Sequence, residues 1–226
     1  MKIKILILLI LLISTVVINL SAQIQIPDSA EERATLAIEL EQKWQQNQDN
    51  QTLVRLAILY SAIAGLDSEE KETVQRAEKY LSKACKIFPK DYELMASHGS
   101  VLTMFAKFET KTGKQLKYVK LGTRKMDRAA KKDPHNIGVL IQRANNSLQL
   151  PAFLNRAHYA QKDFKTVLEI VGGKNGPGFK AMVLYHLGEA YKITENEEET
   201  KKYWQQVVQL NAPRWSAKAK KALEDL

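Results

Sequence analysis

Beyond Pro27, apolar residues return every third and fourth position and almost never every second, so the pattern predicts helices and no strands. Ten helices follow from it. The first opens at Asp28-Ser29-Ala30-Glu31-Glu32, where Ser29 and Glu32 stand at capping-box spacing. It carries Leu36, Ile38, Leu40 and Trp44 and ends in the polar run Gln45–Gln51. Thr52 to Ala64 forms the second, stopped by Gly65. Asp67-Ser68-Glu69-Glu70 caps a third that reaches Phe88 before Pro89. Asp91 caps a fourth, from Tyr92 to Phe108. Gly113 breaks the chain, and a fifth helix runs from Gln115 to Lys132 before Pro134. Ile137–Leu148, Ala157–Val171, Phe179–Ile193 and Glu195–Leu210 follow, with Gly172–Gly178 as a loop. Pro213 opens the last helix, through Leu223, at the position where its missing N–H costs nothing. Short turns between helices of this length predict antiparallel hairpins.

Certain spacings recur within these hairpins. Leu184-x2-Leu187-Gly188-x2-Tyr191 is followed, twelve residues after Gly188, by Thr200-x3-Trp204-x2-Val207 and then Pro213. Ala77-x3-Leu81-x2-Ala84-x4-Pro89 and Ala160-x3-Phe164-x2-Val167 share the second frame, and Met126-x2-Ala129-x4-Pro134 repeats its ending. Met95-x2-His98-Gly99-x2-Leu102 shares the first. The sequence resembles a divergent tetratricopeptide repeat over Thr52 to Pro213, a pattern with a period of about 34 residues. The small residue lets two helices approach, and the large one four places on fills the neighbouring groove. The resemblance implies an all-α fold, antiparallel hairpins stacked as a short solenoid, with residues 23–226 as one helical-repeat domain. A non-repetitive helical bundle is the alternative. The middle repeats depart from the pattern. Gly99 and Gly122 lie 23 residues apart where it wants 12, which implies a lengthened hairpin around Thr110–Lys114, and the Asn145–Arg156 connection is irregular.

The first 22 residues read differently. Lys2 and Lys4 precede a dense apolar run, and Val16-Val17-Ile18-Asn19-Leu20-Ser21-Ala22 ends it in small residues. This is the layout of a secretory signal peptide, with cleavage expected after Ala22. An uncleaved anchor is the alternative, because no charge occurs between Ile5 and Pro27. Both readings place everything after Asp28 outside the cytoplasm. Export makes intracellular nucleic acid an unexpected partner, despite 34 basic against 25 acidic residues and a net charge of +9.

No catalytic constellation is visible, and neither an enzyme nor a cofactor is expected. The single cysteine, Cys85, excludes an internal disulfide and a multi-thiolate zinc site and is expected to be a buried, inert thiol. Of His98, His135, His158 and His186, no two stand three or four apart, so no helix presents a metal pair. His98 and His186 flank equivalent glycines and are expected at helix interfaces with a hydrogen bond each. Asn145-Asn146-Ser147 is a formal glycosylation sequon.

Two features remain as candidate sites. Arg143, Asn146 and Arg156 carry the donors that hold a peptide backbone or carboxylate, and in tetratricopeptide proteins peptides dock on the concave face built by the first helices. The structural alternative is that they cap and bridge the irregular connection. The second feature is the fifth helix: from Lys107 to Lys132 there are ten basic residues and two acids. At about 100° per residue, Lys114, Lys117, Lys120, Arg124, Arg128 and Lys131 share one face, opposite Val119, Met126 and Ala129. The expected function is therefore an exported scaffold that binds another protein or peptide. The alternative is a peripheral binder of an anionic membrane surface or cell-surface polyanion.

Overall fold

A computed structural model describes residues 25–66, 70–172 and 175–226. The leader, the Asp67–Glu69 part of the third cap, and Gly173 and Lys174 lie outside the described residues. Among the described residues there are ten α-helices, no strand, and no helix long and apolar enough to cross a membrane. They are α1 (Ala30–Asn47), α2 (Asn50–Leu66), α3 (Lys71–Ile87), α4 (Tyr92–Met104), α5 (Thr112–Lys132), α6 (Ile137–Gln149), α7 (Ala157–Val171), α8 (Gly176–Ile193), α9 (Glu197–Gln209) and α10 (Pro213–Glu224).

The starts follow the expected chemistry. The Glu32 amide donates to Ser29 Oγ at 3.1 Å, and the Leu94 amide to Asp91 Oδ1 at 3.0 Å. Asn136 and Asn196 do the same for α6 and α9. Such a side chain satisfies one of the amides that a helix start leaves without a partner. Boundaries differ from the sequence reading at several places: α2 begins at Asn50 rather than Thr52, α4 ends at Met104 rather than Phe108, α9 begins at Glu197 rather than Glu195, and three further differences fall at glycines. Gly65 does not stop α2, which runs on to Leu66. Gly113 lies inside the first turn of α5, which begins at Thr112. Gly176 and Gly178 belong to α8, with Pro177 in its first turn. Glycine is tolerated at a helix end, where few intrahelical bonds depend on it.

Helices pair as hairpins, α2 with α3, α4 with α5, α6 with α7 and α8 with α9, and each second helix packs on the first helix of the next pair. The first helices α2, α4, α6 and α8 also touch in succession and form one wall of the solenoid. α1 covers α2 at one end, and α10 covers α9 and α8 at the other. The core runs along the stack, from Leu53, Leu59 and Leu81 through Met126, Val139 and Phe164 to Trp204 and Val207, all of them buried.

Two crossings depend on the absence of a β-carbon. Gly99 of α4 faces Gly122 of α5, so closely that a β-carbon on Gly99 would stand 2.6 Å from the Gly122 carbonyl oxygen. One on Gly122 would collide with the Gly99 carbonyl oxygen and stand 2.9 Å from the Thr103 backbone nitrogen. At Gly188 the obstacle is the indole of Trp204, whose Nε1–H donates to the Tyr185 carbonyl at 3.0 Å. Backbone cannot rotate away, so Gly122→Ala should force α4 and α5 apart and cost about 1–3 kcal/mol, read from urea denaturation. Gly113→Ala, where a β-carbon would meet nothing within 4 Å, should leave stability unchanged or raise it.

Candidate functional site

The wall of first helices lines a groove of about 960 Å³. Its floor is Ile58, Ser61 and Ala62 of α2, Ser97, Ser100, Thr103 and Met104 of α4, and Gln142, Asn145, Asn146 and Gln149 of α6, with His186 of α8 at one end. Its rims come from the two places that break the repeat pattern. The extra length between Gly99 and Gly122 is taken up by a 3-10 turn, Phe105–Phe108, and by a long α5 whose start carries Thr112, Gln115, Leu116 and Val119 into the groove. The irregular α6–α7 connection, with a 3-10 turn at Ala152–Leu154, supplies Leu150, Pro151, Phe153 and Leu154. Phe153 is 78% exposed at this rim.

Lys107 is the one Lys, Arg, Asp or Glu in the lining, which is rich in amides and hydroxyls. Asn146 Nδ2 donates to Thr103 Oγ1 at 2.6 Å, and Thr103 Oγ1 in turn donates to the Ser100 carbonyl at 2.6 Å. Asn146 Oδ1 is buried and accepts no hydrogen bond. A buried acceptor without a donor is costly.

Arg143 and Arg156 do not line this groove. Arg143 forks onto Asp163 of α7, Nε to Oδ2 at 2.7 Å and Nη2 to Oδ1 at 2.6 Å. Arg156 forks onto Asp127 of α5 at 2.9 and 2.7 Å, and Arg143 reaches the same carboxylate at 3.4 Å. Both guanidiniums lie near the Tyr159 ring, Arg143 at 5.0 Å and Arg156 at 3.9 Å from its centre. These residues tie α5, α6 and α7 together; only Asn146 of the three faces the groove. Sequence reasoning passed over its neighbours, although Gln142, Asn145, Asn146 and Gln149 recur at helical spacing and mark a polar stripe.

The other candidates fall as follows. Lys114, Lys117, Lys120, Arg124, Arg128 and Lys131 are all exposed, while Met126 and Ala129 are buried. Cys85 is half-buried rather than buried, and burial pushes its thiol up to about 11, so it stays protonated. His186 Nδ1 pairs with Glu189 Oε2 at 2.6 Å. His98 sits at its helix interface without a hydrogen bond. Burial and the Lys125 charge lower it to about 4, outweighing Glu78 Oε1 at 3.4 Å from Nε2, so it is neutral. The formal sequon lies within α6, with Ser147 buried and its hydroxyl donating to the Arg143 carbonyl. Among the described residues no three His, Cys, Asp or Glu side chains stand together as a metal site.

The Asp163 side chain is 1% exposed, and burial pushes its carboxyl up against the opposing pull of Arg143. Arg143→Ala removes that pull and leaves a buried carboxylate without a counter-charge. It should cost about 3–5 kcal/mol in urea denaturation, and Arg156→Ala less, because the Asp127 side chain is 33% exposed. A wild-type denaturation curve for Arg143→Ala would falsify this structural role.

No family model matches the chain, and no curated protein matches it. Solved structures do. A thermophilic TPR protein of Thermus thermophilus superposes with a TM-score of 0.65 at 14% identity, over 85% of this chain and 91% of that one. MamA (AMB-1) superposes with a TM-score of 0.51 at 16% identity, over 80% and 91%. At these identities the likeness speaks for the fold, and it agrees with the hairpin order, the glycine crossings and the wall of first helices: the chain folds as a tetratricopeptide-like solenoid.

Proposed function

We propose that the chain is a non-enzymatic scaffold, working outside the cytoplasm, that holds an uncharged extended peptide segment of another protein in the groove on its first-helix wall. One observation carries the reading: both departures from the repeat build the rims of the same groove, and the stripe between them is amides and hydroxyls. An extended peptide presents alternating N–H and C=O groups that side-chain amides match in both directions. Ile58, Ala62, Met104 and Leu154 give its apolar side chains somewhere to go. Among Lys, Arg, Asp and Glu, the lining offers a charged peptide Lys107 alone. Burial of a few apolar side chains plus satisfied amides supports the moderate affinity of a reversible scaffold.

Peptides selected from a random display library against the purified chain should be poor in charge and carry apolar anchors. Ser97→Arg and Asn145→Arg each place a bulky cation on the groove floor. Both should weaken the selected peptides by about tenfold or more, worth about 1.4 kcal/mol, with little change in melting temperature. Arg143→Ala should lower the melting temperature, and should weaken the selected peptides less than the two groove variants do. Equal binding by the two groove variants and wild type would remove the groove as the site.

Export rests on the leader: Lys2 and Lys4, the apolar run, and the small residues before Gln23. A reporter that works only in the cytoplasm, fused after Leu226, should be silent, while one that works only outside it should be active. The opposite pair of results defeats the compartment assignment and leaves the groove reading untouched.

A further inference from the structure

α5 has two working faces. Thr112, Gln115, Leu116 and Val119 point one arc into the groove. Lys114, Lys117, Lys120, Arg124, Arg128 and Lys131 occupy an arc of about 120° on nearly the opposite side, all exposed, over a length of about 25 Å. Three acids lie in or next to this helix. Asp127 is held by Arg156 and Arg143, and Glu109, before the helix, reaches Lys114 alone, at 3.6 Å. The third, Asp133 at its C-cap, accepts from Asn136 Nδ2 at 3.1 Å. Lys117, Lys120, Arg124, Arg128 and Lys131 have no ion-pair partner among the described residues. A row of five uncompensated cations raises a positive potential that extends beyond the surface by about the 8 Å screening length of physiological salt.

A solvated face alone does not explain one further residue. Leu121 lies within the basic arc, one turn from Lys117, Arg124 and Lys125, and is 41% exposed. Three of its four neighbours along the helix surface are cations, and the fourth, Tyr118, stacks its ring on Phe105 at 5.3 Å. An apolar side chain flanked by Lys and Arg suits the headgroup boundary of a bilayer, where the cations meet phosphates and the leucine reaches the acyl region. A soluble acidic polymer would use the charges and gain nothing from the leucine.

We propose that this face of α5 docks the chain on a membrane surface rich in anionic lipid, with Leu121 inserted among the headgroups. The groove lies on the other side of α5 and stays open to its peptide, so this docking stands whether or not the groove reading holds.

Full-length chain is mixed with phosphatidylcholine vesicles, or with vesicles that also contain phosphatidylglycerol, and bound protein is separated by sedimentation. Any contribution of the leader is common to wild type and variants and cancels between them. Wild type should prefer the anionic vesicles, and the preference should shrink as salt rises. Each basic side chain near such a surface contributes roughly fivefold, so K117E/R124E/R128E should lower partitioning by about a hundredfold or more. If that variant fails to fold, K117Q/R124Q/R128Q removes the attraction without adding repulsion. Leu121→Ala should also lower binding, and the part it removes should persist at high salt. In L121W, brominated acyl chains should quench fluorescence beyond the quenching seen with wild type, which retains Trp44, Trp204 and Trp215. Equal binding to neutral and anionic vesicles overturns the proposal. So does a charge-only result, in which Leu121→Ala binds as wild type, the new tryptophan is not quenched, and dextran sulfate competes fully.

Discussion

Two helices of ordinary sequence keep their axes about 8–10 Å apart, because their side chains must interdigitate. α4 and α5 avoid that limit at one point, where Gly99 and Gly122 put backbone against backbone. Much else in the structure depends on that approach. Thr103 of α4 packs against Gly122 at this crossing and accepts from Asn146 on the next first helix, so one residue serves both the crossing and the groove floor. The crossing also sets how far α5 overhangs its partner. Gly122 sits ten residues into α5, and Gly99 five residues before the end of α4. The unmatched start of α5 therefore projects beyond the crossing and becomes a wall of the groove. Gly188 plays the same part in the last hairpin with a different partner, the indole of Trp204.

The interior charges follow from the other irregularity. A regular repeat joins the two helices of a hairpin by a short turn, whereas the α6–α7 connection spends seven residues, Leu150 to Arg156, on a rim. Arg156 returns the chain to Asp127 of α5, and Arg143 holds Asp163 of α7, with Tyr159 between the two guanidiniums. Buried ion pairs of this kind add little net stability over well-packed apolar groups, but breaking one is expensive, so they hold a single arrangement in place. Here the arrangement is the placement of Leu150, Pro151, Phe153 and Leu154 over the groove. The arginines thus bear on the candidate site through the segment they anchor, and the groove itself stays almost free of charge.

Helix number, hairpin order and the glycine crossings were legible in the sequence, because local periodicity, capping side chains and small-residue spacing act over fewer than about 35 residues. The exposed basic face of α5 was legible for the same reason: a helix with buried Met126 and Ala129 must turn Lys117, Arg124 and Arg128 outward. Glycine misled at Gly65, Gly113 and Gly176, since near a helix end its flexibility does not force a break. The roles of the polar residues in α6 were decided by tertiary structure. Arg143 and Asn146 are neighbours on one helix, with equal capacity to bind a ligand. Their fates diverge because α7 presents Asp163 to one and α4 presents Thr103 to the other, partners 20 and 43 residues away. A side chain's hydrogen-bonding capacity is written in the sequence. Whether that capacity is spent inside the molecule or left facing a groove depends on what the packed helices bring opposite it.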